Sequence, residues 1–289
     1  MRALLTIPHF YAQNQADHGS GKTDPSARVR TVETCITTLH ETFGPHQGLY
    51  YNVTRGIRQT NRADSVELDI VLCTTGENHL IGELKLPPEL YRVHRTMAQP
   101  KLLGYECHTV LKSNLGKYDY YGYLEDDLLI ADPLLFIKLD WFRSQAGHDA
   151  VLQPNRFEAG ARAPIQKLYA DCNLIDPAIS PRYQNRKDRP RLEFETLGRK
   201  FIFQRVDNPH SGCFFLNTGQ MAHWAAQPYF LDRAIGFWGP LESAATLGIM
   251  RAFRLYKPAK ENAAFLEVRH LDNRYLANRL KLTRAMIEP

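Results

Sequence analysis

The chain has 289 residues, 44% hydrophobic and 23% charged, with a net charge of +5; this is the composition of a globular protein able to bury a substantial core in one domain or two fused halves. No apolar run approaches the roughly 20 residues that cross a bilayer, and Leu4–Ile7 is too short for the core of a secretion signal, so the expected location is cytoplasmic or peripheral to a membrane. Five scattered cysteines (Cys35, Cys73, Cys107, Cys172, Cys213) without a CxxC pair suggest neither a disulfide framework nor a zinc knuckle, and without a basic-aromatic repeat no nucleic-acid partner is expected.

Ala3–Ile7, stopped by Pro8, predicts a first buried strand. Beyond a polar loop, Val29, Val32, Ile36, Leu39 and Phe43 recur at steps of three and four before Gly44-Pro45, which predicts an amphipathic helix over 26–43. Leu49–Val53 and the alternating Val66–Leu72 predict strands. Strand, helix, strand opens an α/β fold. A helix from about Pro100 buries Leu102, Leu103, Cys107, Val110 and Leu111 and stops at 114–116; a strand at 120–124 follows. Asp132-Pro133 then reads as an N-cap and first-turn proline for a helix to about Ser144, before a strand at 150–154. Between Asn155 and Asp207 the rhythm breaks, and strand-like runs at 192–196 and 200–204 predict an inserted hairpin with loops. Cys213–Leu216 predicts another buried strand, 241–253 a short helix, and 264–268 a last strand before His270.

The strand at 120–124 ends in Glu125-Asp126-Asp127 and returns at once to Leu128-Leu129-Ile130. Three negative charges between apolar segments are unfavourable unless something cationic neutralises them, and a hard divalent ion is the usual solution. Ligands of open α/β sheets sit beyond the carboxyl ends of the strands. Side chains two apart in an extended chain share a side, so Glu125 and Asp127 are expected to face the crevice. Mn2+ or Mg2+ held there would bridge to a diphosphate and neutralise a leaving group. The plainer alternative is a solvated acidic turn, against which the apolar flanks count.

With Tyr121-Gly122-Tyr123-Leu124-Glu125-Asp126-Asp127 as a DxD-type motif at the end of a central strand, the chain resembles the nucleotide-sugar-dependent glycosyltransferases of the GT-A fold. The resemblance implies an α/β, Rossmann-like mixed central sheet flanked by helices in a single domain over 1–289. Residues 1–132 would be its nucleotide-binding half and 133–289 its acceptor-side half, with the insertion at about 155–207. It also implies that Pro8, His9, Phe10 and Tyr11 hold the nucleotide base and that Gly212 lets backbone approach the donor sugar. Glu242, opening a late helix behind Gly239-Pro240, would be the general base of an inverting transfer. Asp127, Glu125 and His270 would surround Mn2+ or Mg2+, Glu125 also reaching the ribose or a metal-bound water, with Asp126 supporting the motif. The family's commonest partners are a UDP-sugar donor and a glycan or lipid-linked acceptor, as in surface polysaccharide synthesis. Arg182, Arg186, Lys187, Arg189 and Arg191 would then meet a lipid-phosphate acceptor beside a membrane.

Three other readings compete. His18-Gly19-Ser20-Gly21-Lys22-Thr23 invites a P-loop kinase or NTPase, but Ala16 stands where the first glycine belongs and Asp24-Pro25 reads as disrupting the helix that should follow. A nucleotidyltransferase would use the same acids and metal and release pyrophosphate. A non-enzymatic module would hold a structural divalent ion at the acidic tip.

Overall fold

The computed structural model describes residues 1–12, 24–45, 47–61, 63, 65–160, 167–170, 178–272 and 275–276. β1 (Arg2–Pro8) is buried along almost its whole length, which is why it reads as continuous apolar sequence. α1 (Pro25–Phe43) begins where the Asp24 side chain accepts a hydrogen bond from the Ala27 N–H at 2.9 Å and Pro25 occupies the first turn. Asp24-Pro25 therefore opens a helix, contrary to the expectation that it disrupts one; residues 16–23 lie outside the described residues. Val32, Cys35, Ile36, Leu39 and Phe43 form the buried stripe of α1.

A hairpin of β2 (Leu49–Asn52) and β3 (Gly56–Gln59) leads to β4 (Glu67–Thr75), followed by β5 (Arg92–Thr96), α2 (Leu103–Ser113) and β6 (Tyr120–Leu124). β1 pairs in parallel with β4 on one side and β6 on the other, and β4 pairs in parallel with β5. The chain continues through β7 (Leu128–Leu129), α3 (Leu135–Ala146), β8 (Ala150–Leu152), β9 (Asn155–Ala159), β10 (Lys167–Tyr169), β11 (Arg191–Thr196) and β12 (Arg199–Gln204). β13 (Cys213–Asn217) returns antiparallel to β6 and completes a sheet of order β13-β6-β1-β4-β5. After α4 (Thr218–Ala225) come α5 (Pro240–Glu242), a π-helical turn over Ser243–Leu247, α6 (Gly248–Ala252), β14 (Arg254–Pro258) and β15 (Glu267–His270). The expected α/β, Rossmann-like mixed sheet flanked by helices is what the chain forms.

Alternate residues of the central strands feed two cores. Ala3, Leu5, Ile7 and Leu72 pack with α1 and α3, whereas Leu4, Val71, Cys73, Tyr121 and Tyr123 pack with α2 and α4. Cys35, Cys73, Cys107 and Cys213 are buried and make no disulfide. Among the described residues no helix is long and apolar enough to cross a membrane. Because the chain leaves β1 toward β4 and later comes back to its other side as β6, the crevice beyond the carboxyl ends of β1 and β6 is a topological switch point.

Two details depart from the sequence expectation. Asp132 accepts from the Leu134 N–H at 3.0 Å in a turn, so α3 starts two residues beyond Pro133. Among the described residues the last strand is Glu267–His270, a 3-10 turn over Lys260–Phe265 having taken part of the expected 264–268. Within 155–207, β11 pairs antiparallel with β12, and β9 pairs in parallel with β15 in a second sheet of order β10-β9-β15-β7.

Gly122 lies opposite Leu5 and Phe215 in the central sheet, and a Cβ there would sit 2.6 Å from Leu5 Cδ2 and 3.0 Å from Phe215 Cδ1. Gly122→Ala is expected to cost about 1–3 kcal/mol by overpacking, read as a lower urea midpoint. His108, on α2, is caged by Tyr105, Tyr123, Phe214 and Trp224, and burial lowers its pKa from the ordinary 6.5 to about 3. The unfolded chain accepts a proton below pH 6.5 that the folded protein refuses until about 3, so this residue's contribution to stability is complete above pH 6.5 and declines as pH falls through that window. Urea titrations at neutral and mildly acid pH should show that decline in the wild type and a shallower one in His108→Phe.

Candidate functional site

The acidic turn is tied down on three sides. The Glu125 N–H donates to the Gly212 carbonyl at 2.9 Å, the Leu128 N–H to the Glu125 carbonyl at 3.2 Å, and the Leu271 N–H to the Asp127 carbonyl at 2.9 Å. β7, directly after the turn, pairs antiparallel with β15, so the C-terminal strand holds the exit of the motif as β6 holds its entrance.

Asp126 points inward and is 3% exposed. His9 Nδ1 lies 2.7 Å from Asp126 Oδ2, while His9 Nε2 accepts from the Leu80 N–H at 3.1 Å, an arrangement that puts the ring proton on Nδ1 and makes it the donor to Asp126. Arg28, one turn into α1, pairs with the other Asp126 oxygen and reaches to 3.5 Å from Asp127 Oδ2. The positive end of the α1 dipole adds to that field. His9, expected to hold a nucleotide base, is wholly buried with both ring nitrogens engaged, so its ring braces the motif. Pro8 and Tyr11 are also largely buried, Tyr11 being tied through its N–H to the Asn78 carbonyl at 2.9 Å; Phe10 is the more accessible of the loop.

Glu125 and Asp127 retain 12% and 18% side-chain exposure on the other side of the turn. His270 Nε2 stands 3.6 Å from Asp127 Oδ2, and its Nδ1 stands 2.8 Å from Glu158 Oε1 on β9. Burial by itself would raise the Asp127 carboxyl, but the bond and charge of His270, with Arg28 and Arg156, hold it well below the usual carboxylate range. Burial likewise works against a charged His270, and Asp127 and Glu158 overcome it, pushing the imidazole up to about 9. The ring is therefore an imidazolium at neutral pH. Glu125 goes the other way: burial and the Asp127 charge lift it well above the carboxylate range, with Glu242 adding to the rise and Arg156 and His270 opposing it. Among the described residues Asp127 Oδ1 is buried without a hydrogen-bond partner.

Glu242, on α5, is half-buried, and its charge acts on both Glu125 and Tyr123, which places it at the same crevice. Gly212 has φ +70°, and a Cβ there would meet Glu125 Oε2 at 2.8 Å and Leu128 Cδ1 at 2.9 Å; the glycine makes room for the Glu125 carboxyl. His210, kept neutral by burial, lies with Nε2 3.8 Å from Glu125 Oε1 and Nδ1 3.1 Å from Thr246 Oγ1. The structure thus gathers Glu125, Asp127, Glu242, His270 and Gly212 at one place and sets Asp126 and His9 behind them.

Sequence reasoning missed Arg28, Glu158 and His210. Arg28 had a signal, because a helix that starts at the crevice aims its first turn there; Glu158 had none, lying in a segment of broken rhythm. The basic loop is partly spent on internal pairs: Arg186 with Asp207, Arg191 with Glu193 at 2.9 Å, and Asp188 with Arg254 at 3.1 Å.

Among the described residues no group of three or more His, Cys, Asp and Glu side chains is arranged to hold a metal ion. Mg2+ is commonly held by one or two carboxylates together with substrate phosphates, which needs no such group. The unpartnered Asp127 Oδ1 and the neighbouring Glu125 carboxyl fit that kind of site.

No family model matches the chain, and no curated protein matches it. Among solved structures it is similar to S. aureus TarS at 12% identity and a TM-score of 0.39, the match covering 90% of this chain and 35% of that one. It is also similar to S. aureus TarS 1-349 at 10% identity and a TM-score of 0.42, covering 94% of this chain and 61% of that one. The chain thus spans less than two thirds of the length of either structure, and a likeness at these TM-scores defines no activity.

Replacing Arg28 by Leu would leave Asp126 and Asp127 without their guanidinium partner. Loss of one side of a buried pair costs about 3–5 kcal/mol, and Arg28→Lys should recover only part of it because an ammonium lacks the fork that serves two carboxylates. Urea unfolding of both variants measures this.

Proposed function

We propose that the protein is a metal-dependent glycosyltransferase of GT-A type, moving a sugar from a nucleoside-diphosphate sugar to a glycan or lipid-linked acceptor. The observation that carries this reading is the arrangement at the switch-point crevice. A deprotonated Asp127 with one unpartnered buried oxygen stands beside a Glu125 of raised pKa, with a third carboxyl group, Glu242, near enough for its charge to act on Glu125. Nucleotides bind at such crevices in α/β sheets, and an oxygen left unsatisfied there suits a cation arriving with a diphosphate.

In this reading Asp127 Oδ1 and Glu125 would hold Mn2+ or Mg2+, which when bound would neutralise charge on the departing diphosphate. His270, 3.6 Å from Asp127 Oδ2 and 2.8 Å from Glu158 Oε1, would complete the metal or diphosphate shell. Asp126, locked by His9 and Arg28, orients the turn. Phe10 and Tyr11 would line the base, and Gly212, by making room for Glu125, would keep backbone close to the sugar. Glu242 would take the proton of the acceptor hydroxyl as that oxygen attacks the anomeric carbon and the bond to the diphosphate breaks. A UDP-sugar and an acceptor from surface polysaccharide synthesis are the partners this reading favours.

A donor panel scored for nucleoside diphosphate release in Mn2+, Mg2+ or EDTA tests the reading. Release should need the divalent ion and fall in Asp127→Asn, and Glu242→Gln should lower kcat about 10²–10⁴-fold while leaving donor KM nearly unchanged. Full activity of Asp127→Asn in EDTA would remove the metal from the reading. Pyrophosphate release from nucleoside triphosphates would replace it with nucleotidyl transfer.

A further inference from the structure

The β2–β3 hairpin carries apolar side chains that the fold does not use. Leu49, Tyr50, Tyr51, Val53 and Ile57 are all exposed, Tyr51 by 70% and Val53 by 85%, and none joins either hydrophobic core. Its register pairs Leu49 with Gln59, Tyr50 with Arg58, Tyr51 with Ile57 and Asn52 with Gly56. Directly opposed residues project to the same face. One face therefore presents Leu49, Tyr51 and Ile57, and the other Tyr50 and Arg58. At the tip, Asn52 Oδ1 accepts from the N–H groups of Thr54 and Arg55, each at 3.0 Å, so Val53 and Arg55 are displayed on a tied turn. A two-stranded hairpin is marginal in water by itself, and an apolar face on it gains stability only from something that covers it.

Charge identifies what would do so. From Gln47 to Asn61 the only charged residues are Arg55 and Arg58, with no Asp or Glu. A second copy of the hairpin would bring like charges together. Aromatic rings, aliphatic side chains and arginines without acids are instead the chemistry of an anionic bilayer surface, where rings and apolar tips enter the headgroup boundary and guanidinium groups stay on the phosphates. We propose that the β2–β3 hairpin docks the protein on anionic phospholipid tip first, inserting Val53 with Tyr51 and Ile57 of one face and placing Arg55 of the turn and Arg58 of the other face among the headgroup phosphates.

The hairpin's place in the fold gives this a geometric consequence. It leaves the end of α1 and returns to the start of β4, with the Val66 N–H bonded to the Phe43 carbonyl at 2.7 Å, so it emerges at the amino-terminal edge of the parallel strands. The acidic turn lies beyond their opposite ends, roughly 25 Å away for a seven-residue strand. Docking there leaves the crevice open to solution, and the inference does not rest on what the crevice does.

Sedimentation with vesicles of phosphatidylcholine alone, or mixed with phosphatidylglycerol, tests it. The wild type should bind only the mixed vesicles. Each of Arg55→Gln and Arg58→Gln should weaken binding about fivefold, and Tyr51→Ser with Ile57→Ser should weaken it at unchanged net charge. Circular dichroism melts check that these variants fold, and Tyr51→Trp provides a positive readout, its emission moving to the blue on mixed vesicles. Wild-type binding to neither vesicle, binding undiminished in the variants, or unmoved Tyr51→Trp emission overturns the proposal. So does a solution dimer that the Tyr51→Ser, Ile57→Ser variant dissociates.

Discussion

Asp126 sits between His9 and Arg28, and the remainder of the crevice is built around that contact. β1 delivers His9, α1 delivers Arg28 and β6 delivers the carboxylate, so the three elements that define the switch point meet at one side chain. With Asp126 turned inward, the pleat sends its neighbours outward. A buried carboxylate of this kind is tolerable only while paired, which makes the opening β-α-β arrangement and the acidic turn depend on each other.

Outside that contact, two carboxylates two residues apart acquire opposite character. Asp127 faces His270 and the edge of Arg28 and is held ionised; Glu125 faces Asp127 and Glu242 and is pushed toward its neutral form. Neighbouring groups whose environments drive their proton affinities apart are a mark of sites that perform chemistry. Here the separation arises from which element lies beside each side chain: β15 beside Asp127, the loop before β13 beside Glu125. The unfavourable crowding of three acids, which in sequence points to a metal, is in large part met by the protein's own cations. What remains for an external cation is one oxygen of Asp127 and the carboxyl of Glu125.

Much of this was legible because it obeys a local period. The buried β1 and β6 declare themselves as apolar runs, α1 as a stripe at three and four, and Glu125 and Asp127 as the exposed alternates of a strand end. β5, with the sequence Arg-Val-His-Arg-Thr, did not declare itself, because an edge strand has no second partner and little need of apolar side chains. Glu158 and His210 act across long stretches of sequence through pairing partners that no local pattern encodes. The bracing role of His9 was likewise hidden, because nothing in the loop after the first strand announces that both ring nitrogens are bonded. Gly212 was visible as a glycine, while the group it accommodates was not.

The sheet that contains β7, β9 and β15 joins the acidic turn to the far end of the chain, where His270 closes β15 and the Leu276 N–H donates to Glu158 at 2.5 Å. Synthesis proceeds from the amino terminus, and domains begin to organise as they emerge. His9, Arg28 and Asp126 are all present soon after β6 has appeared, yet Asp127 waits through a further 143 residues for its imidazolium. During that interval the central sheet has its parallel strands in hand and an acidic corner only half compensated. The crevice is thus completed only after the parallel strands of the central sheet, and a chain released before His270 would carry the α/β topology without the electrostatics that set Asp127 and Glu125 apart.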